Sequence, residues 1–369
     1  MTIEKTLNLE NLMRPDLLEL EEYTPVEPLD QLSTRLGIPI EKLVKLDANE
    51  NPYGASPAAL KAIQSQEYYH IYPDPSCTAL RQELEKYIGV DKERIFIGSG
   101  SDELLELLIR LFITPGDNIL DFGPTFGMYS FLGKLYQAEV RSVPRLIEDY
   151  SLDLPAALAA IDSRTKLIFV CTPNNPTGNT CPESTVRALL DTGRLVVVDE
   201  AYHDFAGHSF LNLTNEYPNL IVLRTFSKLS GLAGLRVGYG VLPLAVARQL
   251  WKIKQPYNVT VAGQEAARAS LQEREWIETH VQKIVEERER LFGMLQEINA
   301  IEPLPSASNF IFCRMRRGSA SEVKFGLEKQ GVLVRYYNKP MLENAFRVSV
   351  GRPEQNETFI EQLKQILYN

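Results

Sequence analysis

Thr225-Phe226-Ser227-Lys228-Leu229-Ser230-Gly231-Leu232-Ala233-Gly234-Leu235-Arg236 follows the apolar run Leu220-Ile221-Val222-Leu223. That run has the length and β-branched content of a buried strand. The stretch after it is too poor in charge and too rich in Gly and Ala for an ordinary exposed loop. Small residues let a backbone approach another surface, or a ligand, closely. Taken alone, Lys228 reads as a surface lysine after a strand. At the mouth of a buried strand, however, an ammonium loses hydration and its pKa falls. Such a lysine is a nucleophile toward aldehydes.

The same grammar recurs on the N-terminal side. Leu195-Val196-Val197-Val198 runs into Asp199-Glu200-Ala201-Tyr202, and the strand candidate Lys166 to Val170 runs into Cys171-Thr172-Pro173-Asn174-Asn175-Pro176-Thr177-Gly178. Ile119-Leu120-Asp121-Phe122 and Ala138 to Val143 are further strand candidates. Arg94-Ile95-Phe96-Ile97 leads into Gly98-Ser99-Gly100-Ser101-Asp102-Glu103 and a helix from Leu104 to Phe112. Strands spaced by roughly 25–30 residues, with helices between, predict right-handed crossovers and a mostly parallel sheet. Ligands bind such sheets at the carboxyl ends of the strands, where Asn175, Asp199 and Lys228 all fall. The strand, glycine turn and helix start at 94–112 form an anion cradle of free N–H groups. Glu103 stands where a dinucleotide fingerprint needs its third glycine, so a small phosphate monoester fits better than a nicotinamide dinucleotide.

Composition narrows the classes. The 369 residues allow two domains; 44% are hydrophobic and 24% charged, as in globular proteins generally. Lys plus Arg number 39 against 48 Asp plus Glu, a net charge of -9, which argues against a nucleic-acid partner. No apolar run approaches membrane-spanning length. Four cysteines and four histidines without ligand spacing predict no metal site. With no leader pattern at Met1-Thr2-Ile3-Glu4-Lys5, the expected location is cytoplasmic. Residues 1–45 read as an N-terminal arm broken by Pro15, Pro25, Pro28 and Pro39; 46–255 as the large domain; 256–369 as a smaller α+β domain. The last begins with a long charged helical pattern, Gln264 to Ile298. It ends with strands at Asn309 to Met315, Val332 to Tyr337 and Phe346 to Val350. Phe346, Val348 and Val350 alternate with Arg347 and Ser349, so Arg347 leaves the core face; Arg335 holds the equivalent place in the preceding strand.

Asp199 emerges from a buried strand, and a buried carboxylate needs a cation or hydrogen bonds. One ligand accounts for Lys228, Asp199, Asn175 and the phosphate cradle together. Pyridoxal phosphate carries an aldehyde for the lysine, a ring nitrogen to be kept protonated, a phenolic oxygen and a phosphate.

On these motifs, with Asn49-Glu50-Asn51-Pro52-Tyr53-Gly54, Pro124-Thr125-Phe126-Gly127-Met128-Tyr129 and Gly234-Leu235-Arg236, nearly the whole chain resembles the fold-type I pyridoxal-phosphate aminotransferases. Within them it is most similar to the histidinol-phosphate aminotransferase group. The resemblance implies an aspartate aminotransferase-like α/β fold and transfer of an amino group between histidinol phosphate and 2-oxoglutarate or glutamate. It implies that Lys228 bonds the cofactor aldehyde and moves the proton, and that Asp199 pairs with the ring nitrogen. Asn175 and Tyr202 would bond the phenolic oxygen and Phe126 would stack on the ring. Ser101, Asp102, Ser227 and Arg236 would hold the phosphate, with Tyr53 reaching it from the other subunit of a homodimer. Arg347 would take a substrate carboxylate and Arg335 the far end of the substrate.

One stretch departs from the group. After Thr24-Pro25, where a tyrosine usually meets the substrate phosphate, the chain has Val26 and then Glu27. Glu27 would repel a phosphate unless turned away, and Tyr23 would substitute only on a differently folded arm. The departure keeps an aromatic amino-acid aminotransferase in play, and behind it a threonine-phosphate decarboxylase-like lyase, since fold does not fix reaction.

Overall fold

A computed structural model describes residues 8–22 and 26–368; Tyr23 lies outside them. Among the described residues the first six strands are β1 (Val44–Leu46), β2 (Ile95–Ser99), β3 (Asn118–Asp121), β4 (Glu139–Ser142), β5 (Thr165–Cys171) and β6 (Leu195–Asp199). The rest are β7 (Leu220–Thr225), β8 (Val237–Val241), β9 (Ile301–Pro303), β10 (Phe310–Met315), β11 (Val332–Tyr337) and β12 (Ala345–Ser349). They make a seven-stranded sheet in the order β2-β8-β7-β6-β5-β3-β4 and a five-stranded one in the order β1-β11-β12-β10-β9.

From β7 through β6, β5 and β3 to β4 every pairing in the large sheet is parallel, as the spacing predicts. The apolar runs are uninterrupted because helices cover both faces. Phe169, Val197 and Ile221 pack with the helix Gly100–Phe112 on one side. Their neighbours Ile168, Val170, Val196, Val198 and Val222 pack with the helix Glu183–Leu190 on the other. Each of these fully buried side chains contributes about 1.5–3 kcal/mol.

The reading of the sequence missed β8, which lies antiparallel between β2 and β7. Val237-Gly238-Tyr239-Gly240-Val241 carries two glycines, the usual mark of a loop or bulge. Packing explains them. A Cβ on Gly238 would come 2.3 Å from the Ser101 nitrogen, and one on Gly240 2.9 Å from Leu104 Cδ2. The residues that disguise the strand are those that let the helix Gly100–Phe112 lie on it.

The boundaries at 45/46 and 255/256 do not coincide with the packing. β1 straddles the first and pairs in parallel with β11, placing Leu46 among Val332, Val334 and Val348. The helical pattern Gln264 to Ile298 is two helices, Val261–Gln272 and Arg274–Gln296. The first packs Ala266, Ala267 and Leu271 against Ala59, Leu80 and Leu84 of the large unit. At the break, Glu273 Oε2 accepts a hydrogen bond from the Ala58 N–H at 2.9 Å. We propose a large unit over 47–272 and a small unit over 273–368 that recruits β1.

Candidate active site

The carboxyl ends of β2, β5, β6 and β7 open into one cavity of about 1370 Å³. It is lined by every expected cofactor and substrate residue except Tyr53. Thr225 ends β7, and three residues later Lys228 donates from Nζ to the Ala48 carbonyl at 3.1 Å. Burial, reinforced by the Arg347 guanidinium, pushes the Lys228 pKa down to about 8. The loop can come this close to the polar loop at 49–54 because Gly231 has no side chain: a Cβ there would sit 2.1 Å from the Gly54 oxygen.

Asp199 closes β6 and is only 3% exposed. Its Oδ2 accepts from the Tyr129 hydroxyl at 2.6 Å and its Oδ1 from the Ala201 N–H at 3.1 Å. Burial raises its pKa to about 6, against the pull of those hydrogen bonds. Glu200, next in the chain, bonds elsewhere, accepting from Arg224 Nε at 2.9 Å and from Ser209. The two adjacent carboxylates therefore have separate partners. Tyr202 is buried edge-on to Phe310, and its hydroxyl accepts from Asn49 Nδ2 at 3.1 Å.

At the expected anion cradle, Ser101, Asp102, Ser227 and Arg236 line the cavity together. Gly100 has φ +76° and its N–H donates to the Arg236 carbonyl at 3.0 Å; a Cβ on it would meet Arg236 Nη2 at 2.5 Å. Arg236 Nη2 reaches Asp102 Oδ2 at 2.7 Å, and the Ser227 hydroxyl accepts from Thr225 at 2.9 Å. Glu103 turns back, accepting from the Ser99 N–H at 2.5 Å and from Asn258 at 2.6 Å, clear of the cradle. Phe126 lines the cavity with Tyr129 against its edge.

On the small-unit side, Arg347 crosses to the large sheet. Its Nη1 donates to Asn175 Oδ1 at 2.6 Å and its Nη2 to the Asp47 carbonyl at 2.7 Å. Nε, also buried, has no hydrogen-bond partner among the described residues. Arg335 stands opposite Arg347 in the β11–β12 register and lines the same cavity. Val26 lines it too, while Glu27 pairs with Arg35 at 2.7 Å and so has a cation of its own. Tyr53 points elsewhere: its ring lies 4.8 Å from that of His280 and 5.5 Å from the Arg352 guanidinium.

Two residues stood in quoted motifs without a role. Tyr129 ends the stretch 124–129 and meets Asp199 across 70 residues, and Asn49 opens the stretch 49–54 and bonds Tyr202 across 153. Among the described residues no group of His, Cys, Asp and Glu is arranged to hold a metal, and no helix is long and apolar enough to cross a membrane.

The class of protein follows from this lysine-centred site together with the family model for class I and II aminotransferases, which matches residues 41–363. The chain belongs to that family. It is 47% identical over 368 residues to the histidinol-phosphate aminotransferase of Roseiflexus castenholzii, covering 97% of this chain and 99% of that one. It is 44% identical to the chloroplastic histidinol-phosphate aminotransferase 1 of Arabidopsis thaliana, over 96% of this chain and 86% of the other. The histidinol-phosphate aminotransferase of Sinorhizobium meliloti, solved with pyridoxal 5′-phosphate, superposes with a TM-score of 0.86. That structure is 26% identical to this chain and covers 96% of it, with 97% of its own chain covered.

Proposed function

We propose that this protein transfers an amino group between histidinol phosphate and 2-oxoglutarate or glutamate, with pyridoxal phosphate as cofactor. The observation that carries the reading is the part-buried Lys228 amine in one cavity with Asp199, the anion cradle and Arg347. The histidinol phosphate assignment follows the near full-length relatives.

The residues fit the cofactor. A Cβ on Gly100 would displace the Arg236 guanidinium and one on Gly238 the Ser101 nitrogen, two groups that line the cavity at its phosphate end. Asp199 is a buried carboxylate with acceptor capacity beyond its two hydrogen bonds. When bound, pyridoxal phosphate supplies an aldehyde for an amine and a protonated ring that takes up an electron pair from the substrate α-carbon. The protein does the rest. Lys228, its pKa lowered by burial, gives a neutral amine that holds the α-proton at Nζ and returns it. Asp199 holds the ring nitrogen cationic, while Asn175 and Tyr202 direct donors at the phenolic oxygen. The N–H groups of Ser101 and Asp102, the Ser227 hydroxyl and Arg236 bind the phosphate, and Phe126 packs on the ring. Arg347 binds the carboxylate of glutamate and Arg335 the phosphate of histidinol phosphate, each by the charge-assisted hydrogen bonds a guanidinium gives an anion.

The working unit is a homodimer in the cytoplasm. Tyr53, turned from its own cavity, completes the partner's cradle. Tyr68, Tyr69, Ile71 and Tyr72, each more than half exposed, supply an apolar surface near Tyr257, on which Tyr72 stacks at 4.5 Å.

The test is a single turnover with histidinol phosphate, phenylalanine or glutamate added to the loaded enzyme without keto acid. Histidinol phosphate and glutamate should each yield one equivalent of keto product per site. One equivalent from phenylalanine with none from histidinol phosphate would replace histidinol phosphate as substrate, and no keto product from any of the three would remove the transaminase reading.

A further inference from the structure

Tyr129 is fully buried beside the site and makes no contact that the reaction as derived above requires. Its ring is stacked on Phe169 at 4.9 Å with planes 5° apart, and it meets Phe126 edge-on at 5.6 Å. Held on two sides, the phenol places its hydroxyl 2.6 Å from Asp199 Oδ2. The Ala201 N–H fixes the other oxygen from the opposite end of the β6 turn. A carboxylate oxygen has two acceptor directions, so both oxygens keep one after these bonds form. Two donors from separate segments thus set the plane of the carboxylate, which lines the cavity with acceptor capacity to spare.

We propose that Tyr129 is a positioning residue: it orients the Asp199 carboxylate and keeps it ionised, so that Asp199 can hold a cationic ring nitrogen. This rests on the reading of Asp199 given above. The Ala201 N–H also favours the ionised form, but less than Tyr129 does, and the remaining groups around Asp199 work against ionisation or are silent. Asp102 and Glu200 are carboxylates that disfavour a further negative charge. The Cys171 thiol on β5 is pushed up to about 12 by burial and stays neutral, and the Tyr202 phenol is raised by burial as well. Tyr129 is the foremost influence opposing burial at Asp199. Because its ring also backs Phe126, one side chain sets the face that packs on the cofactor together with the group that meets its nitrogen.

The test compares Tyr129→Phe, Asp199→Asn and the double variant of the loaded enzyme. The readouts are pyridoxal phosphate affinity by equilibrium dialysis and the pH midpoint of the bound cofactor's visible band. Phenylalanine keeps the stacking on Phe169, so folding is preserved. Tyr129→Phe should weaken cofactor binding about tenfold, the worth of a hydrogen bond to a charged group, and raise the band midpoint by about half a unit or more. In the Asp199→Asn background the same change should alter affinity less than about twofold, because its route is gone. An unchanged midpoint and affinity in Tyr129→Phe, with Asp199→Asn impaired, would overturn the proposal alone. Equal losses from Tyr129→Phe in both backgrounds would also overturn it, assigning the tyrosine to packing. Normal binding and midpoint in Asp199→Asn would instead overturn the role of Asp199 on which it rests.

Discussion

Lys228 is an amine whose ordinary pKa of 10.5 is pushed down to about 8, first by burial and then by Arg347. A depressed lysine pKa means that the neutral form predominates above about pH 8 rather than above 10.5. At pH 8 about half of the Lys228 population is neutral, against less than about 1% for an ordinary exposed lysine. Uptake of pyridoxal phosphate by the cofactor-free protein should therefore quicken as pH rises through about 8 and then level off. Arg347→Ala, by removing a neighbouring cation, should move that inflection upward. Stopped-flow absorbance across pH 6–11 measures both, and an uptake rate still climbing through pH 10 would refute the assignment. The identity of Lys228 was legible in the chain, since a charge-poor, glycine-rich segment after an apolar run is unusual anywhere else. Its hydrogen bond to the Ala48 carbonyl was not, because the two residues are 180 positions apart.

At the scale of elements, the cradle depends on β8 as much as on the glycine turn after β2. Gly238 sits where a Cβ would strike backbone atoms, the Ser101 nitrogen at 2.3 Å and the Gly100 carbonyl carbon at 2.6 Å, neither able to swing aside. Gly238→Ala should displace the first turn of the helix Gly100–Phe112. The expected cost is about 1–3 kcal/mol in urea denaturation, together with a clear loss of pyridoxal phosphate affinity. Gly234, in the same glycine-rich region, has no positive φ, and a methyl group added to it would find nothing within 4 Å. Gly234→Ala should stay within about 0.5 kcal/mol of the parent, which makes it the control. β5, β6 and β7 were legible because strands covered on both faces are continuous apolar runs. β8 was not, because its alternation is filled by glycines chosen for a helix more than a hundred residues away.

The molecule as a whole turns Tyr53 away from its own cavity and exposes aromatic side chains at 68–72. On the proposed dimer, whose site takes Lys228 from one chain and Tyr53 from the other, activity should be rebuilt from two impaired proteins. Lys228→Ala mixed with Tyr53→Ala, unfolded together and refolded at equal amounts, should recover about a quarter of the parental sites. Half the dimers are then mixed, and each has one intact site of two. No recovery, with mixed dimers shown by native mass spectrometry, would place Tyr53 outside the partner's site. Arg347 works at this scale too, for its bond to Asn175 joins the small sheet to the large one.

The chain by itself determined the parallel α/β layer, the strand ends at which chemistry collects, and the identities of Lys228, Asp199, Asn175 and Arg347. Those are consequences of local composition and period, which a linear reading can measure. Tertiary structure decided what these residues touch: Tyr129 on Asp199, Asn49 on Tyr202, β1 beside β11, and β8 between β2 and β7. Each of those contacts joins segments far apart in sequence, and packing of buried surfaces, with satisfaction of buried polar groups, selects the partner.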